Sequence, residues 1–366
     1  MTIYPDSQPT YLELIRNGAV ATLMDTGTII REAICGPRTG VGGIPGQGEF
    51  SIRHNTRNFI YREGARPSDG QHAWVALMDA RSIAATAANK GVLTSAEDWD
   101  VGYTKHGYHF AREIYEKKVY NGWGTPHPEV ELLEGPNIKP WPTLVPLSEN
   151  ILIEICSYIN DPVTTTDELI PSGDTSSYRS NPLQMSKFTL RRRDPDYVNR
   201  AETLRDLAEK QQVGKDPWKE EGLRIIRDRI RKIDLSAKDD KIEIGSAIYA
   251  RKPGDGSARE QAASCQRILG GIANFAEEYA TKRYRSNLIN WGIIPFTTTD
   301  QKNFECGDFL YIPEVRRHIL TGDENITAYI LKKEPLRIQV HIGSMSEKER
   351  QILAAGGMIN FMRDGE

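Results

Sequence analysis

Hydrophobic positions in the second part of the chain form short apolar runs, separated by segments with apolar residues at helical spacing. Residues 151–159 alternate in the manner of a strand, and the runs at 241–250, 272–276 and 293–297 are also strand-like. Residues 197–210 show the spacing of a helix, and further helical segments lie between the later runs. This alternation of strands and helices predicts an α/β fold.

The first part of the chain has a different pattern. Residues 11–24 predict a helix, residues 73–88 predict a buried helix, and the glycine-rich stretch 33–50 predicts a loop. A proline-rich segment at 125–147 has little periodicity and predicts a linker. We therefore predict a domain at 1–124 and a second domain at 148–366.

Composition and charge narrow the class of protein. The chain has 366 residues, 39% hydrophobic and 27% charged, which is typical of a globular protein with about two domains. The formal net charge of -3 predicts no general attraction to nucleic acid or to an anionic membrane. Four widely spaced cysteines, no long apolar run and no signal-peptide pattern predict a cytoplasmic protein without disulfides or membrane spans.

Candidate chemistry concentrates at residues 254–263, Gly-Asp-Gly-Ser-Ala-Arg-Glu-Gln-Ala-Ala. A glycine-rich turn here precedes a predicted helix and brings Ser257 and Arg259 to its N-terminus. Unpaired backbone N–H groups and the helix dipole favour an anion at such a place. The alternative is structural, because Ser257 and Glu260 have the spacing of a capping box.

This stretch resembles the Gly-Ser-Ser-Arg-Glu-His/Gln-Ala-Ala motif of the aconitase superfamily, with Ala258 in place of the second serine. Five other segments resemble motifs of that family in the same order along the chain. They are 33–40, 55–62, 165–167, 179–181 and 349–357.

The resemblance implies a fold and a partner. Residues 1–124 resemble the third, three-layer α/β domain of an aconitase, and 148–366 resemble its swivelling β/β/α domain. The match covers only the C-terminal half of a full family member. It therefore implies an N-terminal half, or a partner subunit, that carries the remaining domains.

The resemblance also implies a hydratase, or hydro-lyase, of tricarboxylic acid metabolism that acts on a hydroxy-polycarboxylate such as citrate or isocitrate. Ser257 then corresponds to the catalytic base, and Asp167 orients an active-site group. Substrate carboxylates are bound by Arg57, Arg62, Arg179 and Arg259, whose planar guanidinium groups suit carboxylates. Surface positions for the arginines, and turn capping for Asp167, are the alternatives.

A [4Fe–4S] cluster is the cofactor of the family, and Cys35 corresponds to one of its ligands. Arg38 stands where the cluster loop has a second cysteine, and a guanidinium does not ligate iron. Cys35 is also consistent with a small buried thiol, and Arg38 with the binding of an anionic group. Glu168 likewise replaces a histidine of the family's motif.

Two functions follow from these observations. The first is a portion of an aconitase-like hydro-lyase. The alternative is a catalytically impaired relative, without a cluster, that binds a polycarboxylate or RNA as a sensor or regulator. The basic segment 218–234 has apolar residues at helical spacing, which predicts an amphipathic surface helix or, alternatively, a nucleic-acid-binding face.

Overall fold

The computed structural model describes residues 1–34, 45–54, 70, 72–100, 102, 107–131, 133–171 and 173–364. Contacts within the chain divide it into two units, Met1–Val130 and Glu131–Glu366. The predicted domains at 1–124 and 148–366, with their linker at 125–147, remain predictions.

The first unit is built from short elements. Its strands are β1 Thr2–Ile3, β2 Ile29–Ile30, β3 Phe50–Arg53 and β4 Trp74–Leu77, and its helices are α1 Gln8–Arg16, α2 Ala19–Asp25, α3 Ala80–Ala88 and α4 Glu113–Glu116. Strands β1 and β2 form one parallel pair, and β3 and β4 form another.

Two helix predictions in this unit need correction. The predicted helix at 11–24 is interrupted, because Gly18 adopts a left-handed conformation between α1 and α2. The predicted buried helix at 73–88 is a strand followed by a helix. Asp79 separates the two elements, and its side chain accepts hydrogen bonds from the backbone N–H groups of Arg81 and Ser82 at the start of α3.

Few hydrophobic side chains are buried in the first unit. Within its described part, Ala85 and Ala111 are the buried hydrophobic residues. By contrast, Trp74 is 57% exposed and Trp123 is 94% exposed. A chain segment of this length normally buries a core, so this unit leaves an unusual amount of apolar surface in contact with water.

The second unit contains a closed barrel of seven strands in the order β10-β13-β12-β11-β5-β7-β9. Strands β5, β7, β9 and β10 are parallel, and the remaining neighbours are antiparallel. A short parallel pair, β6 and β8, lies outside the barrel. The strands are β5 Asn150–Ile159, β6 Thr164–Thr165, β7 Ile242–Ala250, β8 Pro253–Asp255, β9 Gly271–Ala276, β10 Ile294–Thr297, β11 Phe309–Ile312, β12 Asn325–Ile330 and β13 Leu336–His341.

Helices connect the parallel strands, as such connections require. The helices between β5 and β10 are α5 Thr166–Leu169, α6 Pro182–Ser186, α7 Tyr197–Gln212, α8 Glu221–Ile233, α9 Arg259–Ile268 and α10 Lys282–Asn290. Those that follow are α11 Val315–Thr321, α12 Glu347–Ala354 and α13 Met358–Asp364.

Alternating residues of the strands enter two hydrophobic cores. On β5, Leu152 packs in a core with residues of the helices, including Leu204 and Leu288. Its neighbours Ile151 and Ile153 pack in the second core, inside the barrel. Because side chains alternate along a strand, both faces of β5 are buried. This explains why Ile151, Leu152 and Ile153 are apolar at consecutive positions of the strand.

The α/β class is therefore confirmed, together with the strands expected at 151–159, 241–250, 272–276 and 293–297. The three-layer arrangement of the first domain and the β/β/α arrangement of the second remain predictions.

The amphipathic helix predicted at 218–234 is α8. Its apolar residues Leu223, Ile226 and Ile230 are buried. Arg227 and Arg231 both form ion pairs with Asp239, at 3.3 Å and 3.0 Å. These cations already have acidic partners, which favours a surface helix over a face that binds nucleic acid.

Glu154, on β5, gives the second unit a predicted pH dependence. Burial raises the pKa of its carboxyl to about 7, although Arg200 nearby lowers it in part. The folded protein therefore retains a proton that the unfolded chain has lost, and stability falls as pH rises from about 4.5 towards 7. Glu154→Gln should raise the free energy of unfolding near pH 8 by about 1–3 kcal/mol, measured by urea denaturation.

The same substitution should have little effect near pH 3, where Glu154 is protonated in both states. Glu305→Gln, at an exposed position before β11, is the matched control and should change stability little at either pH. An equal effect of Glu154→Gln at both pH values would contradict the assigned cause.

Candidate functional site

The candidate site lies where three neighbouring parallel strands end. Strands β5, β7 and β9 are adjacent in the barrel and parallel, so their carboxyl ends lie at the same edge. The chain continues from them into α5, α9 and α10 respectively. Ligands of α/β proteins commonly bind in crevices at this edge.

The turn between β7 and α9 lies against the start of α5. Strand β8 pairs with β6, and the backbone N–H of Ala258 donates a hydrogen bond to Thr166 Oγ1 at 3.2 Å. Gly256 has a φ of 121°, and a Cβ atom there would lie 2.3 Å from Thr166 Oγ1. Glycine is therefore required for this close approach. The contact brings Thr166, from the segment that resembles a family motif, next to Ser257.

Ser257 does not form the expected capping box with Glu260. The N-cap residue of α9 is Ala258, which provides no side-chain hydrogen bond. The Glu260 carboxylate instead accepts a hydrogen bond from Trp291 Nε1 at 3.2 Å. Among the described residues the Ser257 hydroxyl has no hydrogen-bond partner, and the residue is exposed at the mouth of a cleft.

Arg259 begins α9 and lines the same cleft. The residue is half-buried, and its Nε atom is buried without a hydrogen-bond partner in the described part of the chain. Buried donors in folded proteins are nearly always paired with an acceptor. A carboxylate in the cleft would supply that acceptor, with the strength of a charge-assisted hydrogen bond.

The cleft has a volume of about 410 Å³ and is lined by α9 and α10. It combines basic groups with hydroxyl and amide groups, together with a single carboxylate. The lining residues are Ser257, Arg259, Glu260, Lys282, Arg283, Ser286 and Asn287.

A buried hydrogen-bond network fixes α9 relative to α10. Gln266 of α9 donates to the hydroxyl of Tyr284 of α10 at 2.9 Å. Asn274 of β9 donates to the Gln266 side-chain oxygen at 2.8 Å. Burial raises the pKa of Tyr284, so its hydroxyl stays protonated. Satisfied buried networks of this kind restrict the arrangement of the elements that they join, here the two walls of the cleft.

The predicted residues Asp167 and Arg179 do not line this cleft. Asp167 follows Thr166 in α5 and forms an exposed ion pair with Arg192 at 3.3 Å. Arg179 is exposed and has no hydrogen-bond or ion-pair partner among the residues with described positions. The position of Glu168 has a structural explanation, because it closes a capping box with Thr165.

Four residues of the predicted site, Cys35, Arg38, Arg57 and Arg62, lie outside the described residues. Their proposed roles therefore remain predictions. Four residues that line the cleft were not predicted from the sequence: Lys282, Arg283, Ser286 and Asn287. Their spacing in the sequence could have indicated a shared surface. Residues 282 and 286 are four apart, as are 283 and 287, and residues at this spacing lie on one face of a helix.

The described residues do not fit a [4Fe–4S] cluster. Within the described ranges, no group of three or more His, Cys, Asp or Glu side chains is placed to hold a metal ion. Cys156 and Cys265 are separate buried thiols, and burial raises the pKa of each. A cluster requires thiolate ligands, so no chemical step is assigned to one here.

No protein-family model matches the chain, but several known proteins are similar to it. The mitochondrial aconitate hydratase of Emericella nidulans is 25% identical over 334 residues, which is 83% of this chain and 39% of that protein. The methanogen homoaconitase small subunit of Methanocaldococcus jannaschii is 33% identical over 125 residues, 34% of this chain and 65% of that protein. These similarities support membership of this chain in the aconitase superfamily.

A shorter match is found in the 3-isopropylmalate dehydratase large subunit of Clostridioides difficile, 37% identical over 82 residues, or 22% of this chain and 19% of that protein. The proteins that resemble this chain are hydratases and dehydratases, which supports a hydro-lyase family. The chain spans less than two-thirds of the length of each of these relatives.

Among solved structures, the 3-isopropylmalate dehydratase of Methanocaldococcus jannaschii is similar to this chain at 21% identity and a TM-score of 0.35. The match covers 57% of this chain and 92% of that structure's chain. A similarity at that TM-score supports no conclusion about the site. No helix within the described ranges has the length and apolar character needed to cross a membrane.

Proposed function

We propose that this chain supplies the carboxylate-binding and proton-transferring part of a hydro-lyase that acts on a hydroxy-polycarboxylate, such as citrate, isocitrate or a related acid. The observation that supports this proposal most strongly is that two polar groups without hydrogen-bond partners line the same cleft. The Ser257 hydroxyl and the buried Nε of Arg259 both lack partners among the described residues. Asp167, Arg57, Arg62 and Arg179 are further proposed site residues on the ground of the family resemblance alone.

The proposed reaction is the removal of a proton from the carbon next to a carboxylate. Ser257 Oγ accepts this proton as the base, and the electron pair left on carbon forms the double bond as the hydroxyl leaves. A serine hydroxyl becomes a base only where cations and N–H donors stabilise its alkoxide. We assign this stabilisation to Arg259 and to the N-terminus of α9, because Arg259 is the first residue of α9 and lines the same cleft as Ser257.

Departure of the hydroxyl needs a second group, which we assign to a partner chain or domain. The relatives include both a small and a large subunit of such enzymes. The first unit also supports a partner, because Trp74, Trp123 and other large apolar side chains are exposed. Exposed apolar surface of this extent is typical of interaction sites.

The partner assignment predicts that the purified chain alone binds a hydrophobic dye and associates with itself at raised concentration. Dye fluorescence and light scattering measure these two properties, and addition of the partner should suppress both. A monodisperse monomer that binds no dye would contradict the assignment.

The proposed ligand site is tested by titration calorimetry with tricarballylate, a tricarboxylate that cannot be dehydrated. Arg259→Gln should weaken binding about 10–100-fold, because a charge-assisted hydrogen bond contributes about 1.5–3 kcal/mol. The matched control is Arg224→Gln, at an exposed position of α8 that does not line the cleft. Equal affinities for these two variants would overturn the assignment of Arg259.

A further inference from the structure

One face of α10 provides four of the groups that line the cleft, Lys282, Arg283, Ser286 and Asn287. Residues four apart on a helix lie on the same side, which accounts for their shared orientation. The opposite face is anchored in the protein, since Tyr284, Leu288 and Ile289 are fully buried. The two cations therefore stand on a fixed helix rather than on a loop.

The charges at the start of α10 are unfavourable for the helix itself. Lys282 and Arg283 are its first two residues, and its first turn has no acidic residue. Cations at a helix N-terminus oppose the positive end of the helix dipole. By comparison, the first turn of α12 has Lys348 between Glu347 and Glu349, so its cation is compensated.

The protein does not neutralise these cations. Lys282 and Arg283 are exposed, and neither side chain has an ion-pair partner among the described residues. Glu260 is the carboxylate of the cleft, and it accepts a hydrogen bond from Trp291. Together with Arg259, the cleft then has three cations and one carboxylate. Local arrangements that reduce stability without compensation in the fold are typical of functional sites.

We propose that Lys282 and Arg283 form a second anion subsite of this cleft, which binds a carboxylate of the ligand other than the one bound by Arg259. Ser286 and Asn287 provide hydrogen-bond donors beside it. The subsite selects ligands with at least two carboxylates on one carbon skeleton. This inference rests on the proposed function, because it concerns a further contact of the same ligand.

The test is titration of the full chain with tricarballylate, comparing wild type with the double variant Lys282→Gln, Arg283→Gln. We expect the dissociation constant to rise at least about tenfold, the effect of losing one charge-assisted contact. The matched control is Lys348→Gln, which removes a cation from the first turn of a helix outside the cleft and should change affinity less than about twofold. Lys282→Arg with Arg283→Lys retains both charges and should retain most of the affinity.

The melting temperature of the ligand-free protein gives a second readout. The double variant should melt about 1–4 °C higher than wild type, because two unfavourable charges are removed from the helix N-terminus. If the two residues served only to stabilise the fold, the double variant would have a lower melting temperature than wild type instead. Lys348→Gln should give no such increase.

Each outcome distinguishes this inference from the function on which it rests. If Arg259→Gln weakens tricarballylate binding and the double variant behaves like Lys348→Gln, the second subsite is wrong and the proposed function stands. If the wild-type chain binds no tricarballylate, both are contradicted. A large loss of affinity in the double variant that is restored by the charge-retaining variant supports the subsite.

Discussion

Ser257→Ala is expected to reduce the turnover of a hydroxy-polycarboxylate by about 10³–10⁴-fold and to change its binding less than about threefold. The hydroxyl is assigned the proton transfer itself, and general base catalysis contributes up to about this factor. Binding should be retained, because Arg259 and the cations of α10 remain in place. The measurement compares kcat with the dissociation constant of tricarballylate in the assembly of this chain with its partner.

Ser344→Ala is the matched control for this prediction, since Ser344 is an exposed serine that does not line the cleft. It should leave both kcat and affinity unchanged. If Ser257→Ala has a kcat like that of Ser344→Ala, Ser257 is not the base. If it lowers affinity and kcat together, the residue acts in binding instead.

Gly254→Ala is expected to lower the free energy of unfolding by about 2–5 kcal/mol, measured by urea denaturation. Gly254 has a φ of 97°, which costs a residue with a Cβ about 1–2 kcal/mol. That Cβ would lie 2.3 Å from the Tyr284 ring. The ring is fully buried, and its hydroxyl is held by Gln266. Overpacking of this kind costs about a further 1–3 kcal/mol.

Gly307→Ala separates the cost of the positive φ from the cost of overpacking. Gly307 has a similar φ of 93°, but nothing lies within 4 Å of the position of its Cβ. It should therefore cost only the conformational part, about 1–2 kcal/mol. Equal losses in the two variants would show that Tyr284 yields to the added methyl group. The turn that carries Ser257 would then be less tightly fixed than the structure indicates.

Much of the second unit was predictable from the sequence because its strands are buried on both faces. Strand β7, for example, is mostly apolar, contains three isoleucines and is buried at every position except Glu243. In the first unit, Gly18 interrupts the helix predicted at 11–24. The strand at Trp74–Leu77 was missed because a short apolar run is ambiguous between helix and strand.

The candidate site was predicted only in part. Ser257 and Arg259 are two residues apart in sequence, and the motif around them identified both. Lys282 and Arg283 belong to another segment, and their place in the cleft depends on how α10 packs beside α9. The spacing of residues along one helix predicts which of them share a face, but not which other element packs beside that face. Local sequence therefore did not predict that α9 and α10 line the same cleft. The capping box expected for Ser257 and Glu260 was wrong because Trp291, distant in sequence, binds the Glu260 carboxylate.

The most direct test of the proposed function is hydration of an unsaturated polycarboxylate, cis-aconitate, by this chain combined with its partner in deuterated water. We predict a hydrated product with one deuterium on the carbon next to a carboxylate, delivered by Ser257, and loss of that product in the Ser257→Ala variant. An assembly that binds tricarballylate but gives no hydrated product, or that gives it equally with Ser257→Ala, would contradict the account.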